Sequence, residues 1–140
     1  MKGGKYMNKN LTEKIYNDMT TLLKEKNLIK SIPSLTIVDA FKEVDCQAYI
    51  VTHEVNGIEK YDVYVNDSSY DDIVKNLKTN KEKSINDLFA LVDDIAHELA
   101  HMTEHNHSER HRKLTMKYRE IFHGRYLQGG SRKIAKYIGE

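Results

Sequence analysis

Residues 97–101 read His97-Glu98-Leu99-Ala100-His101, two imidazoles four positions apart with a carboxylate beside the first. On an α-helix that spacing puts both rings on one face, where they can share one Zn²⁺ at about 2.0–2.1 Å per nitrogen. Glu98 then stands next to the metal, placed to accept a proton from a water held there. These roles need a helix at the edge of a core. The surrounding residues supply one: Ile85, Leu88, Phe89, Val92, Ile95, Ala96, Leu99 and Ala100 recur at three- and four-residue steps from about Ser84, the apolar stripe of a well-buried helix.

A catalytic zinc takes three protein ligands and leaves one position open, and five of the seven histidines fall between positions 97 and 111. His105 lies four residues past His101, but three histidines at successive four-residue steps on a straight helix span about 12 Å, too far for one ion. It reads as a helix-end residue, favourable at the negative end of the dipole. His107 can reach back only if the helix breaks after His101. Thr103-Glu104-His105-Asn106, polar and poor in helix formers, predicts a helix end near 103–106. Glu120, on the following helix, is the rival third ligand, and its ordinary reading is a surface glutamate among Lys117, Arg119 and Arg125. His107 is preferred over Glu120, and His111 is expected to pack against the site rather than ligate.

The segment from Asp94 to Leu114 resembles the active-site segment of small zincin metallopeptidases of the SprT-like and WLM type. These run H-E-L-x-H, a short insert, then a histidine often followed by Gly or Ser, with an aromatic three or four residues on. The resemblance implies that His97, His101 and His107 are zinc ligands, that Glu98 is the general base and that the fold is a minimal zincin. The chain departs at His111, where such proteins carry Phe or Trp. It also departs from the related H-E-x-x-H-x-x-G-x-x-H pattern, with Glu104 in the glycine position.

The elements that must position these residues follow from periodicity. Leu11, Ile15, Tyr16, Met19, Leu22 and Leu23 predict an amphipathic helix over about 11–28, with Asn10 and Glu13 as its capping box. Residues 35–41, 47–55 and 58–65 read as strands, and Asn56-Gly57 between the last two is a strong hairpin signal, because both turn positions want positive φ. Residues 66–80 read as a loop with at most one helical turn. Ser108 can cap a second C-terminal helix running to Gly124, and Gly129-Gly130 opens a short basic segment. The expected fold is α+β: an N-terminal helix, a small antiparallel sheet of about three strands, the zinc-binding helix and a second helix, one domain over 1–140 with a basic end from about 125. The strand Tyr61–Asn66 is nominated to bind extended substrate, and Tyr126, His123 or Arg125 to stabilise the oxyanion.

At 140 residues, with 39% hydrophobic and 31% charged residues, the chain excludes multidomain, disordered and membrane-spanning classes by composition. The polar start has no apolar leader, so the expected location is cytoplasmic. Cys46, the single cysteine, reads as a small buried hydrophobe. Net charge is +1, yet residues 110–140 hold nine Lys/Arg against two Glu, a balance of +7 that leaves −6 for the rest. The expected activity is therefore a zinc-dependent metallopeptidase acting on a protein or peptide, with weak DNA or RNA association through the basic end. The alternatives are a catalytically silent, nucleic-acid-associated zinc module, against which the presence of Glu98 argues, and a helical interaction protein without tight metal binding.

Overall fold

The computed structural model describes residues 7–39 and 47–139, so Cys46 and the far end of the first expected strand lie outside the described residues. Five α-helices and three strands follow in the order α1 (Lys9–Glu25), β1 (Ser34–Val38), β2 (Ala48–Val55), β3 (Ile58–Asn66), α2 (Ile73–Thr79), α3 (Lys81–Ala100), α4 (Glu109–Phe122) and α5 (Ser131–Gly139). The fold is α+β. Among the described residues no helix is long and apolar enough to cross a membrane.

The hairpin forms as its turn residues dictate: Asn56 and Gly57 take φ of 55° and 79°, and β2 and β3 pair antiparallel with Val55 opposite Ile58. The antiparallel expectation fails for β1, which pairs parallel with β3 in the strand order β1-β3-β2. Residue alternation sets which face a side chain takes but not which strand lies beside which. The register aligns Leu35 and Ile50 with Val63, and Ile37 and Ala48 with Val65, so one face of the sheet is apolar across all three strands. That face packs against α1 and α3, where Val63, Val65, Ile15, Met19, Leu23, Leu91, Val92, Ile95 and Leu99 are fully enclosed. On the other face Tyr49 and Tyr64 stack, rings 4.8 Å apart and 5° from parallel.

The order β1-β3-β2 also corrects the nominated substrate strand. β3 is central, with both of its edges paired, so Tyr61–Asn66 has no free row of backbone groups. The free edge next to α3 belongs to β2.

Other boundaries shift for local reasons. Asn8 rather than Asn10 precedes α1, and its side chain is buried in tertiary bonds instead of capping: Nδ2 donates to the Asp71 carbonyl (2.9 Å), and Oδ1 accepts the Ile73 N–H (2.9 Å). The 66–80 loop contains α2, capped by Asp72, whose carboxylate accepts the Lys75 N–H at 3.0 Å. The basic end is ordered as α5, which buries Ile134, Tyr137 and Ile138; between α4 and α5 the chain makes a wide π-type turn over 123–127.

Candidate metal centre and cleft

α3 is the element that carries the His-Glu pair, and its burial is what aims them. Leu88, Leu91, Val92, Ile95 and Leu99 lock one side of the helix into the core, which turns His97 and His101 outward toward a cleft beside β2. The helix ends at Ala100, a few residues before the expected stop, with His101 as its C-cap. Met102 and Thr103 then close tight turns onto the Leu99 and Ala100 carbonyls, both at 3.2 Å. This break lets the chain reverse before Ser108, whose hydroxyl caps α4 by accepting the His111 N–H at 3.2 Å.

The reversal brings His107 back over α3. Its Nε2 lies 3.2 Å from His97 Nε2 and 3.1 Å from His101 Nε2. Three imidazole nitrogens converging so closely repel through their lone pairs unless a proton or a metal cation lies between them. For tetrahedral zinc with bonds of about 2.0–2.1 Å, ligand nitrogens sit about 3.3–3.4 Å apart, so the observed spacing fits that ion. His101 Nδ1 donates to the Glu104 carbonyl at 2.9 Å, which fixes the tautomer that leaves Nε2 free to ligate.

His111 is almost fully buried, at 3% exposure, beneath these three. Its ring stacks on His101 with 4.0 Å between centroids and meets His97 edge-on at 4.4 Å. His97, His101 and His111 can also present one nitrogen each within 4.8 Å of one another. We favour the His107 set because its spacing matches zinc; His111 Nε2 donates to the His97 carbonyl at 2.9 Å, which ties α4 to the end of α3 and leaves only Nδ1 of that ring with a lone pair. His111 packs against His97 and His101 and holds α4 against the end of α3, and its place among the three rings leaves ligation by it open to test.

Burial, and then the neighbouring imidazoles, lower the His97 pKa to about 4; burial lowers that of His101 as well. Both rings are neutral near pH 7, the form that binds metal. Glu98 is 7% exposed, with Oε2 4.0 Å from His97 Nε2, and burial followed by the charge of Asp94 raises its pKa to about 8. Asp94, one turn before Glu98, accepts a hydrogen bond from the buried Tyr70 hydroxyl.

The cleft over these groups has a volume of about 720 Å³ and runs between the free edge of β2, from Gln47 to Thr52, and the histidines. A second cavity of about 590 Å³ opens on the α4 side and shares Asp94, His97 and His107 with the first. Glu120 lines neither. It lies nine residues past His111, half a revolution around α4, and points to solvent. The nominated oxyanion groups are not brought to the cleft either: Arg125 and Tyr126 line a separate hollow against α1 and α5, and His123 stacks on Phe89 at 5.1 Å. The cleft instead offers Tyr49 and His105. Neither carries a spacing signal, because Tyr49 reaches the site through sheet pairing and His105 through the helix break. Comparison with family models, curated proteins and solved structures finds no match to this chain.

Proposed function

We propose that the protein is a zinc-dependent metallopeptidase. The observation that carries this reading is the approach of His107 Nε2 to within 3.2 Å of both His97 Nε2 and His101 Nε2, beside the buried Glu98 carboxylate. His97, His101 and His107 would hold the zinc, which when bound would acidify a water and polarise a peptide carbonyl. Burial and Asp94 hold the Glu98 carboxyl in its protonated form near neutral pH in the metal-free protein; a cation on the histidines would ionise it, and the carboxylate would then be placed to accept a proton beside them and return it to the leaving amine. His111 and the Glu104 carbonyl hold the ligands in orientation, and the buried side of α3 keeps Glu98 fixed relative to them.

Extended substrate docks on the free edge of β2. The Asn66 N–H bonds to the Gln47 carbonyl, and the alternation of an antiparallel ladder then turns the backbone groups of Ala48, Ile50 and Thr52 away from β3, along the cleft. A peptide added there as a further strand passes across Glu98 and the histidines.

The test is a peptide-cleavage assay on zinc-reconstituted protein and its Glu98→Gln variant. Cleavage by the former and a loss of about 10²–10⁴-fold in the latter, at equal zinc content, is expected. Equal turnover removes Glu98 from the reaction. The position of His111 within the cluster favours a second reading, a closed zinc site serving structure alone, and zinc binding without any cleavage would establish it.

A further inference from the structure

Away from the cleft, three elements distant in sequence bring four cations around one hollow of about 220 Å³: Lys14 of α1, Arg125 of the turn after α4, and Lys133 and Lys136 of α5. Tyr126 and Tyr137 form its walls. Among the described residues no carboxylate lies within ion-pairing distance of any of the four cations. Asp18, one turn past Lys14 on α1, accepts the Tyr137 hydroxyl at 2.7 Å. Lys14 is held in place, donating to the Tyr137 carbonyl at 2.7 Å with its ammonium 4.1 Å from the Tyr137 ring. Arg125, Lys133 and Lys136 are exposed, and the Arg125 guanidinium lies 5.7 Å from the Tyr126 ring.

Solvated lysines on a helix face normally spread apart or find acids. Here the topology gathers like charges around a concave surface with aromatic walls, and mutual repulsion disfavours that arrangement until an anion enters. A hollow with several donors and no acceptor-bearing acid suits a group with several anionic oxygens better than a single carboxylate. We propose that this hollow binds phosphate, presented either by a small polyphosphate or by the backbone of a nucleic acid strand. It shares no residue with the histidine cleft, so it stands independently of the metallopeptidase reading.

The experiment titrates the full chain with pyrophosphate and, separately, with a fluorescent single-stranded oligonucleotide of mixed sequence at about 20 mM salt, where screening is weak. Arg125→Ala/Lys133→Ala is compared with Lys75→Ala/Lys78→Ala, which removes equal charge from the exposed face of α2. The expected result is binding of at least one probe, weakened tenfold or more by the first pair and less than twofold by the second. Tenfold tighter binding of the strand, falling steeply with salt, identifies nucleic acid as the source; equal or tighter binding of pyrophosphate identifies a small phosphate. Binding of neither probe, equal losses in the two double variants, or binding only of poly-glutamate as a third probe overturns the proposal. The substituted side chains are exposed, and circular dichroism confirms that each variant is folded.

Discussion

The third ligand is where a single side chain decides the chemistry. His107 reaches the other two imidazoles only because the chain turns sharply after Ala100, and Glu120 faces solvent on the far side of α4. His107→Ala should therefore weaken zinc at least as much as the 10–100-fold typical of losing a supporting residue, while Glu120→Ala leaves it unchanged. Competition with a chromogenic chelator measures both; the reverse ranking assigns the site to Glu120. A second residue speaks to pH. His123 stacks on Phe89, and its Nε2 is buried with no hydrogen-bond partner among the described residues. Burial depresses its pKa and Arg119 assists, while Asp93 and Glu120 oppose. A base with a depressed folded pKa takes up its proton first in the unfolded state, so stability is lost as pH falls from about 6.5 through the folded value. His123→Phe keeps the stacking and should flatten that part of the acid loss, read as a smaller drop in Tm between pH 7 and pH 5. An unchanged pH profile means that other groups carry it.

At the scale of elements, what was legible follows from how local each determinant is. The site helix showed itself through its apolar stripe, the hairpin through Asn56-Gly57, and the break before His107 through a run of polar residues, all encoded within a few positions. The pairing of β1 with β3, the seat of His111 under His97 and the exclusion of Arg125 and Tyr126 from the cleft depend on contacts between residues far apart in the chain. α5 was obscured because Ile134, Tyr137 and Ile138 stand among basic residues behind Gly129-Gly130, and its nine residues give the helical period little room. The strand order matters most for the proposed function, since it leaves β2 and not β3 with the free edge beside α3 on which docking is proposed. Thr52 is exposed and its N–H faces the free edge, so Thr52→Pro removes one ladder donor without touching the bonds to β3. The expected effect is a rise in KM for an extended peptide of about two- to tenfold, from one lost hydrogen bond, with kcat preserved. Thr52→Val keeps the N–H and should behave as the parent; if both variants change alike, the peptide does not dock on this edge.

For the whole molecule, a metal ion on the proposed centre would join parts that otherwise meet through packing, the His111–His97 hydrogen bond and the Arg119–Asp93 ion pair. His97 and His101 belong to the end of α3, and His107 lies in the loop that leads into α4, so an ion held by all three closes the α3–α4 connection as a covalent staple would. Metal binding to a site absent from the unfolded chain is folding free energy. At a free zinc concentration one hundred times the dissociation constant, linkage contributes about 2.7 kcal/mol. For a chain of this size that corresponds to a rise in Tm of about 5–11 °C, reversed by a chelator. Because the ligands span the loop, His107→Ala should abolish most of the rise while leaving the metal-free Tm close to that of the parent, since His107 is exposed and contributes little to the core. Calorimetry with and without zinc on both proteins measures this. If zinc raises the Tm of His107→Ala as much as that of the parent, the ion is held by His97, His101 and His111, and the loop before α4 takes no part in the centre.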